Sequence, residues 1–258
     1  MPSTKRERQR AAREARREAE AAAFRRARAR KRMFRFAILA VLGLVAAYAV
    51  YTATKPEEQQ VATDSSSTTT SSTALDPRCP PAEGTAERTV AFTEAPPMCI
   101  DASRSYTAVV ETDAGTFNVE LFPDRAPVTV NNFVFLARNK YYDDVPFHRV
   151  IPGFVVQGGD AAKGDGTGGP GYQFGDELPK AGDYELGSLA MANSGPDTNG
   201  SQFFVITGEQ GVNLPPSYSL FGKVVDGMDV AKKIEADGSP GGTPTVVHKI
   251  VKVTIEES

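Results

Sequence analysis

The segment PFHRVIPGFVVQGGD, residues 146–160, has the composition of a buried strand but carries an arginine in its middle. Its apolar side chains, of types common in strands, belong to Phe147, Val150, Ile151, Phe154, Val155 and Val156. Arg149 lies among them, and Gln157 follows eight residues later. Because burying an unpaired guanidinium costs free energy, Arg149 needs a partner or a function. It is the first candidate site residue.

The sequence around this segment predicts a domain with many short strands. Residues 106–122 predict two strands around a turn at Asp113-Ala114-Gly115, and residues 245–257 predict a closing strand. Further strands are expected in FHRVIP, FVVQGG, GSLAMAN and QFFVIT. Residues 126–139 and 226–236 have the apolar period of helices, and the first has a proline near its start.

The expected inward positions follow the period of each element. They are Val130, Phe133 and Ala137 on the first helix, Met228, Ala231 and Ile234 on the second, and Val247, Val251, Val253 and Ile255 on one face of the last strand. Many short strands, two helices and no βαβ rhythm favour a mainly β fold. We expect a closed antiparallel barrel with one helix over each open end.

The first 35 residues differ in charge from the rest of the chain. Residues 1–35 contain 14 Lys or Arg and 4 Asp or Glu, whereas the remaining residues contain 15 and 28. Such asymmetry marks a membrane or nucleic-acid contact at one end of a chain. The favoured interpretation is a cytoplasmic segment that fixes membrane topology, without a nucleic-acid partner. Binding to anionic lipid head groups or to nucleic acid is the alternative.

Residues 36–53 predict a single transmembrane helix directly after the basic segment. Residues 37–53 form a run of 17 without a charge, near the lower limit for crossing a bilayer. The positive-inside tendency places the N-terminus in the cytoplasm and the rest of the chain outside. The alternative is a cleaved signal peptide, because Ala47-Tyr48-Ala49 resembles a cleavage site. Both interpretations export the C-terminal part.

Two segments separate the predicted membrane helix from the domain. Residues 54–75 are rich in Ser and Thr and predict a disordered linker, because they offer too little apolar surface to offset ordering entropy. Residues 76–104 form an extension that contains both cysteines of the chain, Cys79 and Cys99. In an exported protein such a pair is expected to form a disulfide. Two free thiols are the alternative.

Several short patterns favour ordinary structural roles. The loop GDGTGGPG, residues 164–171, matches a dinucleotide-binding motif, but no helical pattern follows it, so we expect a tight surface loop. His148 and His248 lack triad-like neighbours and are interpreted as structural or surface residues. We expect no metal and no cofactor. Asn199-Gly200-Ser201 is formally a glycosylation sequon, which is weak evidence on its own.

Four motifs occur in an order that points to a family. FHRVIPGFVVQGGD, GDGTGGPGYQF, SLAMANSGPDTNGSQFF and SLFGKV closely resemble motifs of the cyclophilins, the peptidyl-prolyl cis-trans isomerases. The resemblance covers about residues 105–256. It implies an eight-stranded antiparallel barrel capped by two helices over residues 105–258, and cofactor-free isomerisation of X–Pro bonds. We therefore expect a membrane-anchored bacterial cyclophilin that assists the folding of exported or cell-envelope proteins.

The resemblance also implies roles for individual residues. The implied catalytic group is Arg149, Phe154, Gln157 and Phe204. The implied substrate-binding positions are Val155, Gly166, Ala192, Asn193, Gln202, Leu214 and Tyr218. Among these, the walls of a proline pocket match Phe154, Phe204 and Leu214.

Three positions depart from the family pattern. Val155 replaces a common Met, Tyr218 replaces a common His, and Asn213 lies where some members carry a Trp that helps to bind cyclosporin. The resemblance therefore implies cyclosporin binding weakened by Asn213. A chaperone or scaffold module that binds proline-containing polypeptides with negligible turnover is the alternative to an enzyme.

Overall fold

The computed structural model describes residues 76–258. The basic segment 1–35, the predicted membrane helix 36–53 and the linker 54–75 lie outside the described residues. Within the described part of the chain, no helix is long and apolar enough to cross a membrane.

Nine strands and three helices make up the regular structure of the described residues. The strands are β1 (Tyr106–Thr112), β2 (Gly115–Leu121), β3 (Val145–Pro146), β4 (Arg149–Ile151), β5 (Val155–Gly158), β6 (Ser188–Met191), β7 (Phe203–Ile206), β8 (Leu220–Asp226) and β9 (Lys249–Glu257). The helices are α1 (Pro127–Arg138), α2 (Glu209–Val212) and α3 (Met228–Ala236). The mainly β class predicted from the sequence is confirmed.

All nine strands belong to one antiparallel sheet, in the order β3-β9-β1-β2-β8-β6-β7-β5-β4. The predicted closed barrel of eight strands is corrected to a nine-stranded half-barrel, because the described residues show no pairing between β3 and β4. These two strands are parts of one stretch of chain. Val145 and Pro146 pair with β9, whereas Arg149–Ile151 pair with β5. Phe147 still donates its backbone N–H to the His248 carbonyl at 2.9 Å, and the chain changes its partner strand at His148.

Helix α1 is buried on two faces. Its predicted inward residues Val130, Phe133 and Ala137 belong to the main hydrophobic core. The opposite face is covered by the extension 76–104. There, Asn131 Oδ1 accepts a hydrogen bond from the Cys99 backbone N–H at 2.6 Å. Its Nδ2 donates to the Pro97 carbonyl at 2.8 Å. The extension is closed by a disulfide between Cys79 and Cys99.

Strand β9 does not keep the side-chain alternation that the sequence predicted. Val247 and Val251 are about half exposed, at 55% and 47%, whereas Ile250 is fully buried. The cause is an irregularity in the pairing with β1, where Glu111 pairs with Lys252 but Thr112 pairs with Ile250. An extra residue in one strand reverses which face the following side chains take. The prediction that all four residues share one face was therefore wrong for Val247 and Val251.

The apolar pattern also missed three elements, the two-residue strand β3, strand β8 and helix α2. Strand β8 contains Gly222, where a Cβ atom would lie 2.8 Å from the Glu120 carbonyl oxygen of the neighbouring strand. A glycine lowers the strand signal of the sequence although the close approach requires it. Helix α2 is one turn long and directly precedes Asn213 and Leu214. The predicted inward residues of α3 are confirmed, with Ala231 and Ile234 buried and Met228 packed against the core.

Candidate active site

Nine of the eleven residues predicted for catalysis and substrate binding surround one cavity of about 300 Å³. They are Arg149, Phe154, Val155, Gln157, Ala192, Asn193, Phe204, Leu214 and Tyr218. The other two, Gly166 and Gln202, line an adjacent cavity of about 900 Å³. We call these the smaller and the larger cavity.

Strand register places three of the four candidate catalytic side chains side by side. Arg149 on β4 lies opposite Gln157 on β5. Gln157 in turn lies opposite Phe204 on β7. Because directly opposed residues project to the same face of a sheet, these three form a row across three strands. Phe154 immediately precedes β5 and is not part of this row, but its ring contacts the Arg149 guanidinium.

The guanidinium of Arg149 is oriented by an amide and an aromatic ring. Its Nη1 donates a hydrogen bond to Gln157 Oε1 at 3.0 Å, and its Cζ lies 5.6 Å from the Phe154 ring centroid. Cation–π contact favours a guanidinium in this position. The backbone next to Arg149 is also fixed, because the N–H of Val150 donates a hydrogen bond to the Gly242 carbonyl at 2.8 Å. The bond to Gln157 therefore holds one edge of the guanidinium in the lining of the smaller cavity.

A second amide connects Gln157 to the glycine-rich loop 164–171. Gln157 Nε2 donates to Gln202 Oε1 at 3.2 Å. Gln202 Nε2 then donates to the carbonyls of Gly166 and Gly168, each at 2.9 Å. The two glutamines therefore link Arg149 to the loop and set the direction of each amide.

The turn before Phe154 rests on a buried carboxylate that sequence reasoning missed. Glu235 on α3 is 7% exposed. Its Oε1 accepts hydrogen bonds from the Gly153 N–H and the Thr207 hydroxyl, both at 2.8 Å. Its Oε2 accepts one from Lys232 Nζ at 2.7 Å. The period of α3 identifies it as a helix, but no local pattern indicates that Glu235 reaches this turn.

The far wall of the smaller cavity is apolar. Phe204 and Tyr218 meet edge to face, with ring centroids 5.3 Å apart. Phe204 belongs to a second hydrophobic cluster that includes Val155, and Leu214 and Tyr218 pack against this cluster. Tyr184 is buried in this cluster and donates from its hydroxyl to the Tyr218 carbonyl at 2.7 Å. Burial raises the pKa of Tyr184 to about 12, so the hydroxyl keeps its proton.

The larger cavity is built from the backbone of the glycine-rich loop. Its lining shares Gln157, Ala192 and Asn193 with the smaller cavity. Asp160, fully buried at the end of β5, accepts hydrogen bonds from the N–H groups of Gly166 and Gly168 at 2.9 Å. Burial alone would raise the pKa of Asp160, but these backbone donors outweigh it and hold the pKa below its ordinary value. The two cavities share lining residues and together form one groove. The smaller cavity is its apolar half and adjoins the Arg149 guanidinium, and the larger cavity is its second half and is lined by the glycine-rich loop.

The chain matches one known protein family over most of its described residues. Residues 107–255 match the family described as cyclophilin type peptidyl-prolyl cis-trans isomerase. The chain belongs to this family. Residues 76–106 lie outside the match. Most of them form the extension 76–104, which precedes the domain. The half-barrel from residue 105 onward is hereafter called the cyclophilin domain.

Relatives come from several kingdoms. A peptidyl-prolyl cis-trans isomerase-like 2 of Cryptococcus neoformans is 50% identical over 157 residues, which are 58% of this chain and 27% of that protein. Peptidyl-prolyl cis-trans isomerase A of Mycobacterium tuberculosis is 38% identical over 169 residues, covering 57% of this chain and 92% of the relative. The chain thus spans about a quarter of the length of the first of these. Homologues at this identity identify the domain as a peptidyl-prolyl isomerase domain.

Solved structures agree with the family. A cyclophilin type peptidyl-prolyl cis-trans isomerase of Cryptosporidium parvum is 32% identical with a TM-score of 0.55, over 60% of this chain and 99% of that chain. A second crystal structure of that protein was determined in the presence of the dipeptide Ala-Pro, at 33% identity and a TM-score of 0.54, covering 59% and 99% of the two chains.

Two asparagines of the cyclophilin domain have local partners. Asn193 Nδ2 donates to the Ser217 carbonyl at 2.9 Å, which ties the β6 end to the segment before Tyr218. Asn213 Nδ2 donates to the Glu209 carbonyl at 2.8 Å and so closes the end of α2. Asn213 is not part of the lining of the smaller cavity, whereas its neighbour Leu214 is.

The two histidines of the cyclophilin domain lie outside both cavity linings. His148 is half-buried beneath the glycine-rich loop, and burial lowers its pKa. His248 is held between two carboxylates, with Nδ1 2.8 Å from Asp113 Oδ1 and Nε2 2.8 Å from Asp237 Oδ2. Among residues 76–258 there is no cluster of three or more metal-ligating side chains.

Proposed function

We propose that this protein accelerates cis–trans rotation about X–Pro peptide bonds of exported or cell-envelope polypeptides. The observation that carries the proposal is the Arg149 guanidinium, held by Gln157 at 3.0 Å beside an apolar cavity of about 300 Å³. Apolar walls suit a proline ring, and the guanidinium suits the amide that precedes it.

The chemistry requires a twisted amide to be favoured over both planar forms. Amide resonance imposes a barrier of about 18–20 kcal/mol, so the unaided reaction takes tens to hundreds of seconds. In the twisted state the prolyl nitrogen becomes pyramidal and gains a lone pair. A hydrogen bond from Arg149 to that nitrogen stabilises the twisted state more than the planar states, which is the condition for catalysis.

The other residues of the smaller cavity hold the substrate during this rotation. Phe154, Phe204 and Leu214 enclose the proline ring. Gln157 keeps one edge of the guanidinium occupied, so the free edge faces the substrate. Asn193 lies where both cavities meet, at the place of the residues flanking proline. Rotation forms no covalent bond to the protein and consumes no co-reactant.

An Ala-Pro peptide is the first substrate to test, because the Cryptosporidium parvum relative was crystallised with the dipeptide Ala-Pro. The full chain in detergent micelles is added to such a peptide, and cis–trans exchange is measured by NMR. We expect exchange to be accelerated by the wild type and lost in Arg149→Ala. The matched control is Arg125→Ala, because Arg125 also lies over a ring, that of Phe122 at 5.3 Å, but outside the cavity.

A non-catalytic binding module is the competing proposal. The same cavity would then bind proline-containing segments as a chaperone or scaffold. Wild-type protein that binds the peptide without accelerating exchange would support the module and contradict the enzyme. Full activity in Arg149→Ala would contradict the mechanism while leaving the isomerase proposal intact.

We also propose a cellular context, which the N-terminal sequence supports. Residues 36–53 would anchor the protein in the membrane with residues 1–35 in the cytoplasm and the cyclophilin domain outside, and signal cleavage with secretion is the alternative. The disulfide of Cys79 and Cys99 supports an oxidising compartment. Protease treatment of intact cells tests this topology: digestion of the domain supports export, and protection contradicts it.

Weak cyclosporin binding is also expected. Asn213 carries an amide that bonds the end of α2, where a Trp would add an aromatic surface next to Leu214. Inhibition of peptide exchange by cyclosporin measures this affinity. Tight inhibition of the wild type would contradict the expectation.

A further inference from the structure

The extension 76–104 precedes the family match, yet it reaches the wall of the larger cavity. The contact is made by Phe92. Its backbone N–H donates to the Pro170 carbonyl at 2.8 Å, at the end of the glycine-rich loop. Pro170 and Gly171 are themselves part of the cavity lining.

The ring of Phe92 fills the space between helix α1 and the loop. Its centroid lies 5.1 Å from that of Phe135 and 6.3 Å from that of Tyr172, edge to face in both cases. Tyr172 lines the larger cavity, and its hydroxyl donates to Asn132 Oδ1 at 2.6 Å. Phe92 therefore ties the loop to a helix of the main core.

The backbone of the loop is adapted to this contact. Gly171 has a φ of +104°, and a Cβ atom there would lie 2.1 Å from the Phe92 carbonyl oxygen. Only a residue without a side chain permits this approach. The backbone of Phe92 therefore contacts the backbone of the loop, and its ring contacts Phe135 and Tyr172.

The two ends of the loop are held by different parts of the chain, Gly166 and Gly168 from within the domain and Pro170 from the extension. Asp160 holds Gly166 and Gly168 from within the domain. Phe92 holds Pro170 from the extension. The extension is itself fixed by its disulfide and by the bonds of Asn131 to Pro97 and Cys99. Without Phe92, Asp160 and Gln202 would still hold Gly166 and Gly168, but Pro170 would lose its contact with the extension.

We propose that Phe92 is a positioning residue that sets the affinity of the isomerase for peptides long enough to enter the larger cavity. The inference rests on the proposed function. A short Ala-Pro peptide occupies the smaller cavity, which Phe92 does not touch. A longer peptide also contacts the loop, because the two cavities share Gln157, Ala192 and Asn193.

The test compares two substrates on the full chain in detergent micelles. One is a blocked Ala-Pro dipeptide, and the other is a decapeptide with Ala-Pro at its centre. Phe92→Ala should raise KM for the decapeptide about five-fold, equivalent to about 1 kcal/mol. It should leave kcat for both peptides and KM for the dipeptide unchanged. Phe92→Leu should restore most of the decapeptide KM, because it returns apolar volume and keeps the backbone bond.

Two controls separate positioning from general destabilisation. Val253→Ala removes apolar volume from the core at β9, away from the loop, and should leave the ratio of the two KM values unchanged. Cys79→Ser combined with Cys99→Ser frees the extension and should shift the ratio in the same direction as Phe92→Ala. An unchanged ratio in Phe92→Ala, or the same change in Val253→Ala, overturns the inference.

A readout independent of turnover distinguishes failure of this inference from failure of the proposed function. Amide hydrogen exchange of residues 164–171 should accelerate in Phe92→Ala, whereas exchange in β5 and β7 should stay as in the wild type. If the wild type catalyses no exchange, the proposed function fails, and the decapeptide Kd takes the place of KM. An equal decapeptide Kd and equal loop exchange in wild type and Phe92→Ala would then refute the positioning role separately.

Discussion

The smaller and the larger cavity adjoin in one groove but are built from different kinds of structure. The smaller cavity takes its side chains from strands in fixed register, where Arg149, Gln157 and Phe204 are directly opposed. Half of the residues that line the larger cavity belong to the segment 166–173, and four of those eight are glycines. Side chains on a sheet have fixed directions, whereas a glycine-rich backbone keeps its shape only if something holds it.

A buried carboxylate supports the backbone of each cavity, Glu235 at the smaller cavity and Asp160 at the larger one. These two carboxylates have different partners. Glu235 binds the Gly153 N–H and is paired with Lys232. Asp160 binds N–H groups of the loop, and within the described chain it forms no ion pair with a lysine or arginine. Under the two proposals above, catalysis is assigned to the side chains of the sheet, and the choice among longer peptides is assigned to the loop and the groups that hold it.

The largest expected effect is a loss of kcat on replacement of Arg149, which lines the smaller cavity only. Arg149→Lys should lower kcat about 100-fold, in the range seen when a preorganised donor is removed. An ammonium is a point charge and cannot donate to Gln157 and to the substrate in the same plane. NMR exchange on the Ala-Pro dipeptide measures the effect, and amide exchange of the loop should be unchanged. Retained kcat would contradict the need for a planar donor.

A smaller effect is expected when the anchor of the larger cavity is altered. Asp160→Asn should raise KM for the decapeptide about ten-fold, because a neutral group forms weaker hydrogen bonds to the loop N–H groups. The dipeptide should be affected little.

The pH dependence of this anchor has a definite sign. The pKa of Asp160 is lowered, so its contribution is present above the ordinary pKa of 3.8 and is lost as pH falls through the lower folded value. The decapeptide KM of the wild type should therefore carry no step from Asp160 between about pH 5 and 8. A rise in KM within that window in the wild type and not in Asp160→Asn would contradict the anchor.

Much of the smaller cavity could be predicted from the sequence. Arg149, Phe154 and Gln157 lie within one short segment, so their proximity depends only on a hairpin between β4 and β5. Phe204 and Leu214 come from separate motifs, and only their resemblance to family motifs joined them to that segment. The structure brings Phe204 beside that segment because β7 is the next strand to β5 in the sheet, and Leu214 joins them from the turn that follows α2.

The remaining features depend on contacts between distant parts of the chain. Glu235 lies 82 residues from Gly153, and no periodicity links a helix carboxylate to a particular turn. The pairing shift that exposes Val251 depends on the partner strand β1. Phe92 lies in a segment of irregular structure, and its contact with Pro170 became evident only in the fold. Local patterns predict elements, but which elements meet is a tertiary property.

A still smaller effect tests the anchor of the smaller cavity. Glu235→Gln should raise KM for the dipeptide about three-fold, because the Gly153 turn that precedes Phe154 loses a charged acceptor. The ratio of decapeptide to dipeptide KM should stay constant, since both peptides use this cavity. Urea unfolding monitors the accompanying loss of stability. A change confined to the decapeptide would contradict the division between the two cavities.

The smallest effect concerns stability and neither cavity. Burial lowers the pKa of His248, but hydrogen bonds to Asp237 and Asp113 outweigh it, and the net shift is upward from 6.5. A raised folded pKa means that protonated His248 stabilises the fold fully below about pH 6.5 and that this contribution is lost as pH rises through the folded value. Wild-type stability should therefore fall more between about pH 6 and 8.5 than that of His248→Gln.

Urea unfolding measures this loss of stability at about pH 6 and 8.5. KM for the dipeptide and for the decapeptide is measured at the same two pH values. The imidazolium joins the β1–β2 turn, through Asp113, to the end of α3, through Asp237, and touches neither cavity. Its loss should lower the free energy of unfolding, while the ratio of decapeptide to dipeptide KM stays the same at both pH values. If the ratio changes with pH in the wild type and not in His248→Gln, the two cavities are coupled through the whole half-barrel. Selectivity would then not depend on the loop and its anchors alone.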